Sequence, residues 1–318
     1  MHGLDLRPFA DEHLDDAARL LASRHARHRA AEPLLPIAFE DPAAARAALE
    51  EAWSAEGASG AVALREGTVV GYLVGAPRAA SWGPNVWVET AGHAVDEAET
   101  LRDLYGAAAG GWVDAGATRH YALVPAFDAE LVDAWFRVSF GLQHTLGIQE
   151  TPPPAAADGR VTVREARLDD VDALLPLDLL STHQAGSPTF AQMPKSDPAE
   201  VRQELAGEIA DPRTGLLVAE VDDRVVGCAS AAPLEYSSLH GGLARADDAC
   251  ILGYAATLPE VRGSGAGLAL TEGVFGWARG HGYPTVAVDW REANLLASRF
   301  WRGRGFRPTF LRLYRSIP

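Results

Sequence analysis

The chain has 318 residues, a formal net charge of −15 and 47% hydrophobic residues, so it is long enough for two folded domains and too apolar for wholesale disorder. The acidic balance repels phosphates and anionic lipid, which disfavours a nucleic-acid partner or a membrane-surface role. Two cysteines, Cys228 and Cys250, make no disulfide framework and no CxxC zinc pair, so no metal is expected. The N-terminus is acidic rather than basic-then-apolar, and no apolar run is long enough to span a membrane, which predicts a cytoplasmic protein.

Taken in chain order, residues 4–10 form a short strand, and an acidic-capped helix follows over Asp11–Ser23. Arg24, His25, Arg27, His28 and Arg29 cluster at its end, as cations favoured by a helix C-terminus. Residues 61–77 alternate two apolar runs about a polar turn, an antiparallel hairpin, and Trp87–Val95 reads as the next strand. Further on, the motif Trp135–Phe140 aligns with Trp301–Phe306 of the second half. The proline-rich stretch 151–159 is a linker.

The second half repeats the order. A strand over 160–166 precedes helices at Asp169–Leu180 and Pro198–Ala210, and a hairpin spans 216–232. Strand Ala249–Thr257 runs into a glycine loop, then helix Leu268–Arg279, strand Thr285–Asp289, helix Asn294–Trp301 and strand Thr309–Arg315. Val69, Val70, Gly71, Ala76 and Pro77 recur as Val225, Val226, Gly227, Ala232 and Pro233, and Trp135 and Phe140 as Trp301 and Phe306. Two gapped copies of this size mark a duplicated domain: residues 1–150 and 160–318, joined by 151–159. Each copy is a mixed α/β arrangement, an antiparallel meander followed by a parallel crossover.

The loop Arg262-Gly-Ser-Gly-Ala-Gly267 lies between strand and helix. Glycines let successive N–H groups converge on a ligand, the helix N-terminus adds unpaired donors and a positive dipole end, and Arg262 adds charge: together a site for a diphosphate. A dinucleotide fingerprint is the rival. It needs a third glycine where Leu268 stands, and it follows its strand directly, whereas Pro259–Arg262 intervene here.

These residues resemble the GNAT superfamily of N-acetyltransferases. Arg262, Gly265 and Gly267 fill its acyl-CoA signature, and Asn294, Ala297, Phe300, Gly305 and Phe306 fill its downstream motif, with Trp301 where tyrosine is usual. The resemblance implies two tandem GNAT-like domains. It implies a V-shaped split between the strands ending near Thr257 and Asp289, with acetyl-CoA as co-substrate. The pantetheine arm would bond backbone groups at Ala255 and Thr257. The diphosphate would lie on the N–H groups of Gly263, Ser264, Gly265, Ala266, Gly267 and Leu268, and Asn294 would face the arm. The first half has Asp96, Glu97 and Glu99 in place of the loop, so it is expected to bind no acyl-CoA.

The family's usual base, a glutamate, falls at Ile251 here. Asp248 and Asp289 are the substitutes, and Asp289 is preferred because it sits at the mouth of the split. With Trp301 unable to give a proton, Tyr254 is the nearest acid. His183, Gln184 and Phe190, in the loop between the first two helices of this half, are the acceptor-contact candidates. Two functions follow. One is acetyl transfer from acetyl-CoA to a small-molecule or peptide amine, by direct attack in a ternary complex. The other is a non-catalytic acyl-CoA sensor or scaffold. One working and one degenerate copy would act as a monomeric pseudo-dimer or pair as a homodimer.

Overall fold

The structure, a computed structural model, describes residues 3–154, 160–177 and 197–318. The first half contains β1 (Asp5–Pro8), α1 (Leu14–Ala31), α2 (Pro42–Trp53), β2 (Ser59–Arg65), β3 (Thr68–Gly75), β4 (Asn85–Val88), β5 (His93–Val95), α3 (Thr100–Asp114), β6 (Arg119–Pro125), α4 (Ala129–Arg137) and β7 (Gly141–Glu150). The second contains β8 (Thr162–Glu165), a helical segment over 171–177, α5 (Pro198–Ala210), β9 (Gly215–Val221), β10 (Arg224–Pro233), β11 (Ala249–Thr257), α6 (Ala266–Gly280), β12 (Thr285–Arg291), α7 (Leu295–Gly303) and β13 (Arg307–Ser316).

The duplicated hairpins form for the same local reason. Glu66 and Gly67 between β2 and β3, and Asp222 and Asp223 between β9 and β10, all take positive φ, the two-residue turn whose twist matches the flanking strands. Helix starts are equally local: Asp41 and Asp197 cap α2 and α5 by accepting the N–H groups of Ala43 and Ala199, each with proline at the first helical position.

The chain forms two compact units. The first comprises Met1–Leu146, Gly241–Ala246 and Pro308–Pro318; the second comprises Gly147–His240 and Asp247–Arg307. The C-terminal strand is thus part of the first unit, where Phe310 to Ser316 pair antiparallel with Pro125 to Arg119 of β6. The start of the linker is tied to the second unit: Thr151 donates its N–H to Pro284 O (2.8 Å) and its hydroxyl to Tyr283 O (2.7 Å).

In the first unit β1-β2-β3-β5 form an antiparallel sheet, and β4 runs parallel to β6. α3 buries Leu101, Leu104, Tyr105 and Trp112 against them, with Leu311 and Leu313 of β13 completing the core. In the second unit the strand order is β12-β11-β10-β9-β8. One face of that sheet packs Leu270, Val274, Phe275 and Ala278 of α6 and Trp301 of α7; the other packs Leu174, Leu177, Val201 and Leu205. The result is helix on both faces of a mixed sheet.

Three expectations need correction. The strand expected over Trp87–Val95 is broken into β4 and β5 by a turn closed by Gly92 N–H to Glu89 O (2.8 Å). The first helix starts and ends later than Asp11–Ser23, so the basic cluster lies inside it. Arg24, His25 and His28 are buried rather than solvated, and burial lowers the His25 and His28 pKa values to about 4 and about 3, so these rings are neutral and not helix-end cations. Among the described residues no helix is long and apolar enough to cross a membrane.

Candidate functional site

The site of the second unit begins where two parallel strands stop pairing. β11 and β12 are in register from Ala249/Thr285 to Leu252/Val288 and no further, although both strands continue. β11 stays attached to β10 on its other edge through Thr257, which faces Gly227.

The cause is one residue. Ser230 faces Tyr254 and Ala231 faces Leu252, so Gly253 is the extra residue of a bulge. A bulge bends and twists its strand, which turns β11 away from β12 one residue after their last pair. It also switches faces. Cys250 and Leu252 pack with α6, whereas Tyr254 and Ala256 pack on the opposite face with Leu174 and Leu177.

Past the bulge the edge of β11 is open. The Leu258 N–H bonds Val226 O of β10 (2.9 Å), so strand alternation turns the backbone groups of Thr257 and Ala255 to the opposite edge, toward the split. Gly253 and Ala255 are exposed, and Tyr254, Ala256 and Thr257 are half-buried.

The glycine loop follows directly. Gly263 and Gly265 have φ of +84° and +93°, which glycine adopts without strain, and a Cβ at either would meet nothing within 4 Å. The α6 ladder starts with Ala269 N–H to Gly265 O (2.9 Å), and the Ala266 N–H faces Ser264 Oγ (3.4 Å). Gly267 and Leu268, in the first turn, therefore present N–H groups with no acceptor inside the helix. Arg262, Gly263, Ser264, Gly265 and Leu268 are exposed, while Ala266 is buried. The carboxylate of Glu260, two residues before Arg262, pairs with Arg224 of β10 (2.9 Å).

Asp289 is the first residue of β12 beyond the last pair and is half-buried. Its neighbours Val288 and Trp290 pack into the α6 core, so alternation turns Asp289 to the face that also takes Tyr254. Asp248 stands at the far end of the paired stretch, exposed and with positive φ, and is not brought to the split. Tyr254 donates its hydroxyl proton to Leu177 O. Asn294 caps α7, its Oδ1 accepting from the Ala297 N–H (3.2 Å). Ile251 and Trp301, at the positions expected for base and acid, are 6% and 7% exposed, and Trp301 packs in the apolar core with α6. His183, Gln184 and Phe190 lie outside the described residues. Sequence reasoning missed Gly253; its signal was a glycine inside an otherwise apolar strand.

A mixed sheet whose fourth and fifth strands part beside a glycine loop that opens a helix is the architecture expected of an acyltransferase. The acetyltransferase (GNAT) family model matches residues 181–306, within the second half of the chain. No curated protein matches the sequence.

Among solved structures, a GCN5-related N-acetyltransferase from Sphaerobacter thermophilus is similar over 99% of this chain and 96% of its own (TM-score 0.58, 15% identity). A glucosamine N-acetyltransferase region of a fungal multi-domain β-N-acetylglucosaminidase is similar over 99% of this chain and 38% of its own (TM-score 0.54, 15% identity). A tandem GNAT protein from the clavulanic acid biosynthesis pathway covers 99% of this chain and 98% of its own at a TM-score of 0.49 and 15% identity. The likeness to the Sphaerobacter thermophilus structure extends a GNAT-like fold over the whole chain, and acyl transfer is the chemistry that the family match and the fold support.

Proposed function

We propose that the chain is an N-acetyltransferase that moves the acetyl group of acetyl-CoA to an amine in a ternary complex, using the second unit alone. The observation that carries this reading is the split beyond Leu252 and Val288, which leads an open strand edge straight to the glycine loop. The diphosphate rests on the N–H groups of Gly263 to Leu268 with Arg262 beside it. The pantetheine arm bonds the backbone of Ala255 and Thr257, and Asn294 faces it.

The amine nitrogen attacks the thioester carbon, the C–N bond forms, and the C–S bond breaks with release of the thiolate. No protein nucleophile is needed; holding the two substrates together supplies much of the rate. Asp289, on the face of the sheet opposite α6, takes the proton lost by the amine, directly or through water. Tyr254 returns a proton to the thiolate once its bond to Leu177 O opens. His183, Gln184 and Phe190 are the acceptor contacts of this reading. A net charge of −15 favours a cationic acceptor. The buried, unbridged Cys228 and Cys250 suit the cytoplasm.

The second reading, an acyl-CoA sensor or scaffold without turnover, is favoured by the apolar burial of Ile251 and Trp301 and by the engaged hydroxyl of Tyr254. Release of free CoA thiol from acetyl-CoA, measured against a panel of amines, separates the two. Turnover with any amine supports transfer, and tight binding with no turnover on the panel supports the sensor.

A further inference from the structure

The first unit repeats the geometry of this split and fills it differently. Gly71 faces Val95 across β3 and β5 as Gly227 faces Thr257 across β10 and β11, which makes His93 the counterpart of Ala255. Val88 and Ala122 are the last paired residues of β4 and β6, as Leu252 and Val288 are of β11 and β12. Asp128 caps α4 through the Leu131 N–H as Asn294 caps α7.

Gly92 O and Asp96 N–H bond Val74 and Val70 of β3, so alternation turns the carbonyl of His93 away from β3, into the gap. Strands that part leave carbonyls that need donors, from a ligand or from the chain. Here α1 supplies one. Arg24, 1% exposed, donates Nη1 to His93 O and Nη2 to Thr90 O (2.5 Å). The His93 imidazole continues across to Leu123 O of β6 (3.1 Å), the counterpart of Asp289.

We propose that Arg24 is a built-in occupant of the first unit's slot. A guanidinium of the chain itself takes the backbone carbonyl that corresponds to the pantetheine-binding carbonyl of Ala255, so the slot is an internal guanidinium site and the chain holds one acyl-CoA. The comparison rests on the reading of the second unit given above; the identity of the occupant does not. The groove beside the plug disfavours a diphosphate: a cavity of about 870 Å³ is lined by six carboxylates, Asp96, Glu97, Glu99, Asp128, Glu130 and Asp133, against two arginines, Arg27 and Arg137.

The test is rescue of Arg24→Ala by methylguanidinium at millimolar, non-denaturing concentration, read as melting temperature against equal sodium chloride. The variant is expected to melt well below the wild type and to recover about 2–4 °C with methylguanidinium, a mass-action gain the wild type does not share. No recovery, or equal recovery in the wild type, overturns the proposal. Arg24→Lys keeps the charge without the two-pronged fork and covers the case in which the alanine variant fails to fold. It is expected to melt below the wild type, and equal stability overturns the proposal. Native mass spectrometry with CoA adds a count. One CoA per wild-type chain and none on Gly265→Glu support it; two per wild-type chain, one of them surviving in Gly265→Glu, overturn it. No CoA on the wild type defeats the functional reading instead, and leaves the guanidinium test standing.

Discussion

Leu252 and Val288 are the last residues at which β11 and β12 pair, and Gly253, the next residue of β11, is the bulge that separates them. The opening of the split is therefore assigned to one inserted residue. Deleting Gly253 restores regular alternation, returns Tyr254 to the α6 face and lets β11 continue beside β12. The deletion variant is expected to stay folded by circular dichroism and to lose at least about tenfold in CoA affinity, about 1.4 kcal/mol. A folded deletion variant with unchanged affinity would contradict this cause.

Asn294 caps α7, and the proposed contact with the pantetheine arm is separable from that role. As the cap of α7 it is replaceable by aspartate, which accepts the Ala297 N–H equally well. Asn294→Asp is therefore expected to melt near the wild type but to bind CoA about tenfold more weakly, because a carboxylate now faces the groove. Asn294→Ala is expected to lose about 1 kcal/mol of stability in denaturant titration. The aspartate variant reproduces what Asp128 already is in the first unit.

Asp289 and Tyr254 are tested by kinetics. Asp289→Asn is expected to lower kcat by about 10²–10⁴ with little change in KM for acetyl-CoA, and to flatten the acid limb of the pH profile. Tyr254→Phe is expected to lower kcat and weaken the alkaline limb. An unchanged pH profile in Asp289→Asn would remove it as the base.

The stability of the first unit depends on pH through its buried histidines. Burial holds His25 at about 4, and His28 and His93 at about 3, with the buried Arg24 guanidinium lowering each further; the bonds of His25 to Pro36 O and of His93 to Leu123 O act the other way. For each, the folded value lies below the unfolded 6.5, so the unfolded chain binds more protons at acid pH. The stabilisation is fully present above about pH 6.5 and is lost as pH falls toward 3–4, with a slope of up to about 1.4 kcal/mol per pH unit per ring. Denaturant titrations between pH 7 and pH 4.5 are expected to show this fall. His28→Gln, at a ring stacked on Phe127, is expected to be less stable at pH 7 and to show a shallower slope.

The duplicated layout, both hairpins, α5 and the glycine loop were legible because each is written locally: paired apolar runs, an Asp-Pro cap, three alternating glycines. The breaks were not. β4 and β5 read as one strand because the turn Glu89–Gly92 lies between apolar residues on both sides. The basic cluster read as a solvated helix end because sequence cannot say that α1 turns Arg24, His25 and His28 inward, where two parted strands need donors. The placement of Pro308–Pro318 in the first unit also left no local mark, since β13 reads as an ordinary strand with a buried middle. Position in the fold decided these cases, and position is non-local.

The central claim is that the amide groups following Arg262 hold the diphosphate of coenzyme A. Calorimetric titration of CoA into the wild type and into Gly265→Glu tests it most directly: Gly265 is exposed with open space where a side chain would go, so the glutamate adds a negative charge at the loop, and the φ of +93° that it adopts only with strain re-aims the loop amides as well. The account predicts saturable heat with one CoA per chain for the wild type and an affinity at least about 100-fold weaker for the variant. Absence of heat in the wild type, or the same affinity in both, would contradict it.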